Sequence, residues 1–169
     1  MANKSWHPFL PMAFLIAIMT TVESCRKDKA PTLETVSGKI NGIVWTAQHI
    51  YNYGTTSYSI DATQDGGNYQ NSNLMLHFFS FANGTFETDN NDFSGSYYIF
   101  FTYGSTSAPY SFFTRPSSGS ITISKAIEND FKTGYIITGT FSGILYNDSS
   151  GPDSVIISEG QFSNIFVEK

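Results

Sequence analysis

Tyr135-Ile136-Ile137-Thr138-Gly139-Thr140-Phe141-Ser142-Gly143-Ile144-Leu145-Tyr146 is the stretch whose reading decides the fold. Tyr135, Ile137, Phe141 and Leu145 fall on one side of an extended chain, and Thr138, Thr140 and Ser142 fall on the other. A period of two with one apolar and one hydroxylated side is the pattern of a half-buried strand. The residues that come next, 147–153, are dense in turn formers, and Ser154 to Phe162 then returns as the natural antiparallel partner. The pair carries an internal echo, Gly139-Thr140-Phe141-Ser142-Gly143 against Gly160-Gln161-Phe162-Ser163-Asn164, in which each glycine relieves a bend and each Phe is buried. Two copies fall short of a stacked repeat array.

The same grammar extends toward the N-terminus. Ser37 to Ile40 and Ile43 to Ala47 flank Asn41-Gly42, the strongest short hairpin signal, because both residues tolerate the positive φ of a type I′ turn. Tyr58 to Ala62 reads as a short strand. Leu74 to Phe81 and Tyr97 to Tyr103 are apolar on both faces, with His77 on the side of Met75 and Phe79, where an interior imidazole is the expectation. Ile121 to Ser124 alternates and has one wet face. Lys125 to Lys132 is compatible with a helix but is too short to be more than a turn. The expectation is an all-β fold, a single antiparallel β-sandwich of about seven to nine strands over residues 35–169, with a partly closed β-barrel as the alternative.

Ahead of this domain stand a short polar start with Lys4 and an uncharged run from Pro8 to Val22. That is the form of a secretory signal peptide, and the run is shorter than the roughly 20 apolar residues a membrane-spanning helix needs. Val22-Glu23-Ser24-Cys25 resembles the lipobox of bacterial lipoproteins. The resemblance implies a cut between Ser24 and Cys25, a diacylglyceryl group on the Cys25 thiol and often an acylated new amine; Glu23 departs from the usual uncharged position. Cys25 is the sole cysteine, so an internal disulfide is excluded, and attachment explains its solitude. The expected organisation is a signal peptide over 1–24, a lipidated flexible tether over 25–34, and the β domain.

Charge is divided along the chain. Residues 26–29 carry net +2, whereas residues beyond 30 carry five basic and twelve acidic side chains. The acidic body argues against nucleic acid, whose phosphates require clustered Lys and Arg. The expected partners are the membrane, through the lipid anchor, and an envelope protein or a glycan. The expected location is the outer membrane, with the periplasmic and the surface face both open.

Motifs in the body add a resemblance. Ile40-Asn41-Gly42-Ile43-Val44-Trp45-Thr46-Ala47, Gly95-Ser96-Tyr97-Tyr98, Gly119-Ser120-Ile121-Thr122-Ile123, Gly139-Thr140-Phe141-Ser142 and Glu159-Gly160-Gln161-Phe162, in that order, resemble a family of small uncharacterised Bacteroidota lipoproteins. The resemblance implies a compact all-β body on a lipid anchor, and it brings no catalytic residue, ligand or reaction.

Catalytic and metal signals are weak. His49 and His77 lack metal-type spacing, and no Gly-x-Ser-x-Gly elbow surrounds a serine. The loops from Glu87 to Asp92 and from Asp148 to Asp153 offer oxygens, but Phe93 breaks the calcium-type alternation in the first. Glu159 is the main acid placed on a strand, and it has no obvious partner for glycosidase chemistry. No enzyme activity, cofactor or metal is expected. The candidates for ligand contact are aromatic: Trp45, Tyr51, Tyr53, Tyr58 and Tyr69, with 51–73 as the binding edge. The expected role is a binding or structural accessory module; the alternatives are a small glycan-binding lipoprotein and a carrier of a hydrophobic ligand.

Overall fold

The computed structural model describes residues 33–54, 57–89, 97–105, 107–147 and 153–168. Residues 1–32, which hold the expected signal peptide, Ser24, Cys25 and most of the expected tether, lie outside the described residues. Among the described residues there are ten strands: β1 Thr35–Ile40, β2 Ile43–Thr46, β3 His49–Gly54, β4 Tyr58–Gln64, β5 Ser72–Phe78, β6 Gly84–Glu87, β7 Tyr98–Ser105, β8 Ala108–Glu128, β9 Gly134–Asn147 and β10 Ser154–Glu168. They form one sheet in the order β2-β1-β10-β9-β8-β7-β5-β4-β3, with β6 added to the distal half of β8. The pairings are antiparallel, so the expected class holds, but the layers of a sandwich are here one continuous sheet curled into a half-barrel.

The curl follows from chain connectivity. β2 and β3 are opposite edges of the sheet, yet only Ala47 and Gln48 join them, and the three Cα–Cα steps from Thr46 to His49 reach no further than about 11 Å. The corner stitches both edges: Ala47 N donates to Val36 O of β1 at 2.9 Å, and Gln48 N donates to Thr63 O of β4 at 2.8 Å. Two buried side-chain bonds span the same gap. Trp45 Nε1 donates to Ser72 Oγ at 2.8 Å, and the Tyr69 hydroxyl donates to Ile40 O at 3.0 Å.

Bulges supply the bending, since an extra residue in one strand locally increases twist. Register shifts interrupt β1 at Ser37/Lys39, β10 at Ile157/Gly160 and Phe162/Ile165, and β8 at Thr114/Gly119 and Ile123/Lys125. Ser117, Glu159 and Asn164 take the left-handed conformation inside three of these shifts. Thr88, buried beside the first β8 shift, fills it: its N donates to Gly119 O, its O accepts from Ser117 N, and its hydroxyl contacts Arg115 O at 3.1 Å and Gly119 N at 3.0 Å.

Alternate residues of every long strand turn inward. Ile60, Leu76, Ile99, Phe101, Ile121, Ile137, Phe162 and Ile165 are fully buried and fill the concave side. The echoed motifs meet there. Gly160 lies opposite Phe141, and Phe162 lies opposite Gly139, so each glycine seats the other strand's ring. Asn41 and Gly42 have φ of 50° and 79°, as the hairpin requires. The segment at Lys125 to Lys132 is the end of β8 followed by a turn, where Asn129 Oδ1 accepts from Thr133 N and Gly134 N.

Candidate functional site

Directly opposite residues in antiparallel strands share a face, so the register defines what the convex side presents. On the half built from β2, β1, β10, β9, β8 and β6, one cross-strand row reads Thr46, Ser37, Gln161, Thr140, Thr122 and Thr85. Thr85 and Thr122 hydroxyls lie 2.9 Å apart. This is what water selects on the wet face of an antiparallel sheet.

The other half differs. Across β3, β4, β5, β7, β8 and β9 the row reads Tyr51, Asp61, Met75, Phe100, Phe113 and Tyr146. The next row places Ser59, His77 and Tyr98 together, and on the opposite flank stand Thr63, Asn73 and Thr102. Phe100 and Phe113 rings sit 4.5 Å apart, and the Arg115 guanidinium lies over the Tyr146 ring at 4.2 Å. His77 stacks on Tyr98 at 4.6 Å with Phe79 edge-on at 5.2 Å. Tyr51 is half exposed at 51 %.

Polar atoms within this aromatic face lack partners. Asp61 Oδ1, Asn73 Oδ1 and His77 Nε2 are buried and have no hydrogen-bond partner among the described residues. Asp61 is opposite Met75, so Asn73 and His77 are its two diagonal neighbours on β5. Burial pushes the Asp61 carboxyl up from the ordinary carboxylate range and pushes the His77 imidazole down. The Tyr98 hydroxyl is raised to about 12, first by burial and second by the charge of Asp61. His77 Nδ1 is 3.1 Å from Ser59 Oγ, and the Tyr98 hydroxyl reaches Met75 Sδ at 3.7 Å. Asn52 Oδ1 is also without a partner among the described residues, but Asn52 is opposite Ile60 and belongs to the inner side.

The sequence candidates separate. Trp45 is 1 % exposed in the core, and Tyr69 is buried with its hydroxyl on Ile40 O. Tyr58 packs against Phe81 at 4.0 Å and against the core. Tyr51 stands on the aromatic face; the Tyr53 side chain lies outside the described residues. His77 shares the face of Met75, as its spacing implied, and is buried there at 5 % exposed, on the side of the sheet away from the main core. His49 pairs with Asp65 at 3.5 Å, both exposed. Glu159 forms a surface pair with Lys39 at 2.7 Å, and a second acid on a strand, Asp61, stands on the aromatic face. No group of three or more metal-ligating side chains occurs among the described residues, and Asn91, Asp92 and Asp148 lie outside them.

Asp61 and Phe100 are not among the candidates for ligand contact that the sequence offers. Asp61 carried one signal, a carboxylate in the middle of the alternating Ser59-Ile60-Asp61-Ala62, opposite in phase to its apolar neighbours.

Fold and site together define a class, a single curled antiparallel sheet whose outer side carries a hydroxyl row between the exposed pairs Ile127–Ile136 and Ile144–Ile156 on one half and an aromatic row on the other. The chain belongs to the family described as Domain of unknown function (DUF5025), whose model matches residues 44–164. No curated protein and no solved structure matches the chain.

Proposed function

We propose that the chain is a lipid-anchored lipoprotein of the cell envelope, held in the outer membrane through Cys25, and that its β domain is a binding module rather than an enzyme. The lipobox-like Val22-Glu23-Ser24-Cys25 and the basic residues 26–29 support the anchor. Two or more acyl chains hold a protein stably on a membrane, whereas one holds it marginally. The observation that carries the binding reading is the aromatic convex face with its three unpartnered polar atoms. A face kept only for water has no use for Phe100, Phe113 and Met75 in one row.

Catalysis is the weaker reading of the same residues. Ser59 and His77 make a hydroxyl-imidazole contact, but His77 Nε2 has no orienting carboxylate, and Asp61 sits one row away.

The test is a photo-crosslinking residue placed at position 51 or 100, and at position 140 on the hydroxyl face, in cells whose envelope is intact. Adducts from 51 and 100 but not from 140 are expected. Equal adducts from all three positions, or none, refute the assignment of the face. Mass analysis of the mature N-terminus tests the anchor: an unmodified Cys25, or an intact Ser24–Cys25 bond, removes it.

A further inference from the structure

The aromatic face also constrains the chemistry of its occupant, provided that the β domain is the binding module proposed for it. We infer that the row Tyr51, Asp61, Met75, Phe100 and Phe113 is a set of subsites for a single neutral oligosaccharide chain lying across the strands. Tyr51 and the packed Phe100–Phe113 pair form apolar platforms toward the two ends of the row, and Asp61, Asn73 and His77 between them take hydroxyl hydrogens.

Three observations select this occupant. The first is the acceptor set. Asp61 Oδ1 and Asn73 Oδ1 accept hydrogen bonds, and His77 Nε2 accepts when Nδ1 holds the proton and donates it to Ser59. Asp61 on β4 is diagonal to Asn73 and His77 on β5, so the three acceptors flank one stretch of the row on both sides and suit a ligand unit that carries several O–H donors around its rim, where a single ammonium satisfies one. His77 is 5 % exposed, so its unpartnered nitrogen is not an idle surface atom.

The second is reach and shape. Four strand spacings of about 4.8 Å separate Tyr51 from Phe113 by about 19 Å, the length of roughly four sugar rings. The sheet twists by roughly 20° per strand, so a flat crystalline surface meets only one or two rungs, whereas a single flexible chain tracks all of them. Arg115 covers Tyr146 and ends the row.

The third is charge. The chain beyond residue 30 carries twelve acidic against five basic side chains, and Asp61 is central to the row. Uronic, sulfated and phosphorylated glycans are repelled, which leaves neutral ones. Met75, directly opposite Asp61 and unbranched, can change rotamer without a backbone shift.

The test uses the full-length protein in detergent micelles against immobilised maltotetraose, cellotetraose, xylotetraose and chitotetraose, with polygalacturonic tetrasaccharide and tetralysine as charged controls. Retention of at least one neutral tetrasaccharide is expected, with at least tenfold weaker binding of the matching disaccharide. Tyr51→Ala and Asp61→Asn each lower affinity at least tenfold; Tyr51 is half exposed, so its variant keeps the fold. Thr140→Ala leaves affinity unchanged. Binding of none of the neutral probes, equal binding of the acidic one, or preference for tetralysine overturns the inference. Adducts at 51 and 100 combined with no glycan retention sink the ligand class alone, whereas loss of those adducts sinks the binding face itself.

Discussion

The reciprocal seating of Phe141 on Gly160 and of Phe162 on Gly139 makes a quantitative prediction about a single methyl group. A Cβ built on Gly160 stands 2.6 Å from two carbons of the Phe141 ring and also meets the Phe141 carbonyl oxygen. Gly160 is not in the left-handed region, so Gly160→Ala carries no conformational penalty of that kind and tests the contact alone. Overpacking a filled core costs up to about 3 kcal/mol. At about 4 °C per kcal/mol for a domain of this size, the midpoint of thermal unfolding falls by about 12 °C. Gly66→Ala, with nothing within 4 Å, is the control and is neutral or stabilising by about 0.5 kcal/mol. Gly42→Ala also has open space but a φ of 79°, so it costs about 1 kcal/mol for a different reason. The decisive measurement is a double-mutant cycle by urea unfolding. In the Phe141→Ala background the ring half of the clash is gone and the carbonyl half remains, so the cost of Gly160→Ala drops without vanishing, by about 1–2 kcal/mol of coupling. An identical cost in both backgrounds, or a cost no greater than that of Gly66→Ala, refutes the reciprocal seating.

Ser72→Ala leaves the buried Trp45 indole N–H without its 2.8 Å acceptor and is expected to cost about 1–3 kcal/mol, read by urea unfolding; no change means the bond does not close the half-barrel. Asp61, raised in the folded state, binds more protons there than when unfolded, so stability falls as pH rises through the folded value above 3.8; Asp61→Asn is therefore more stable than wild type at pH 7, with the gain shrinking toward pH 4. His77, lowered in the folded state, works the other way: stability is lost as pH falls below about 6.5, and His77→Gln flattens the stability profile between pH 7 and 5. An unchanged profile in either variant shows that the group titrates as it does in the unfolded chain.

Local alternation made much of the sheet legible. The face assignments of Ile137, Phe141 and Leu145, of Ile99 and Phe101, and of Ile121 and Ile123 follow from period two alone, and each of these residues is buried. Asn41-Gly42 announced its turn because few dipeptides accept two positive φ values. Continuity across irregularity was harder to read. Arg115-Pro116-Ser117-Ser118 looks like a chain break, yet β8 runs through it as one strand of 21 residues, because Thr88 and the Ser118 hydroxyl satisfy the displaced backbone. The curl was invisible because it depends on Ala47 and Gln48 bonding to opposite edges, a non-local fact. Trp45 looked like a ligand residue for the same reason that it serves the core: a large ring with one donor, whose partner Ser72 lies 27 residues away. The site itself is a product of register. Tyr51, Asp61, Met75, Phe100 and Phe113 come from five strands, and a one-residue slip in any pairing sends its member to the other side.

The two halves of the outer side belong to the same sheet but differ in what they bury: Ile136 and Ile156 are exposed on the hydroxylated half, whereas His77 and Tyr98 are 5 % and 2 % exposed on the aromatic half. The hydroxyl half is cheap: Thr and Ser fit a strand and bond to water or to one another, as Thr85 and Thr122 do. The aromatic half is not. Each buried polar atom left without a partner costs about 1–3 kcal/mol, and Asp61 Oδ1, Asn73 Oδ1 and His77 Nε2 sit together there. Replacing Asp61 by Thr, the residue type that fills most of the hydroxyl row, removes the raised carboxyl and keeps the strand. A chain selected for stability alone has that substitution open to it. An ionisable, desolvated group between Tyr51 and Met75 therefore argues for a bound state in which the cost is recovered, because a ligand that supplies O–H donors satisfies in one step the atoms the folded chain leaves open.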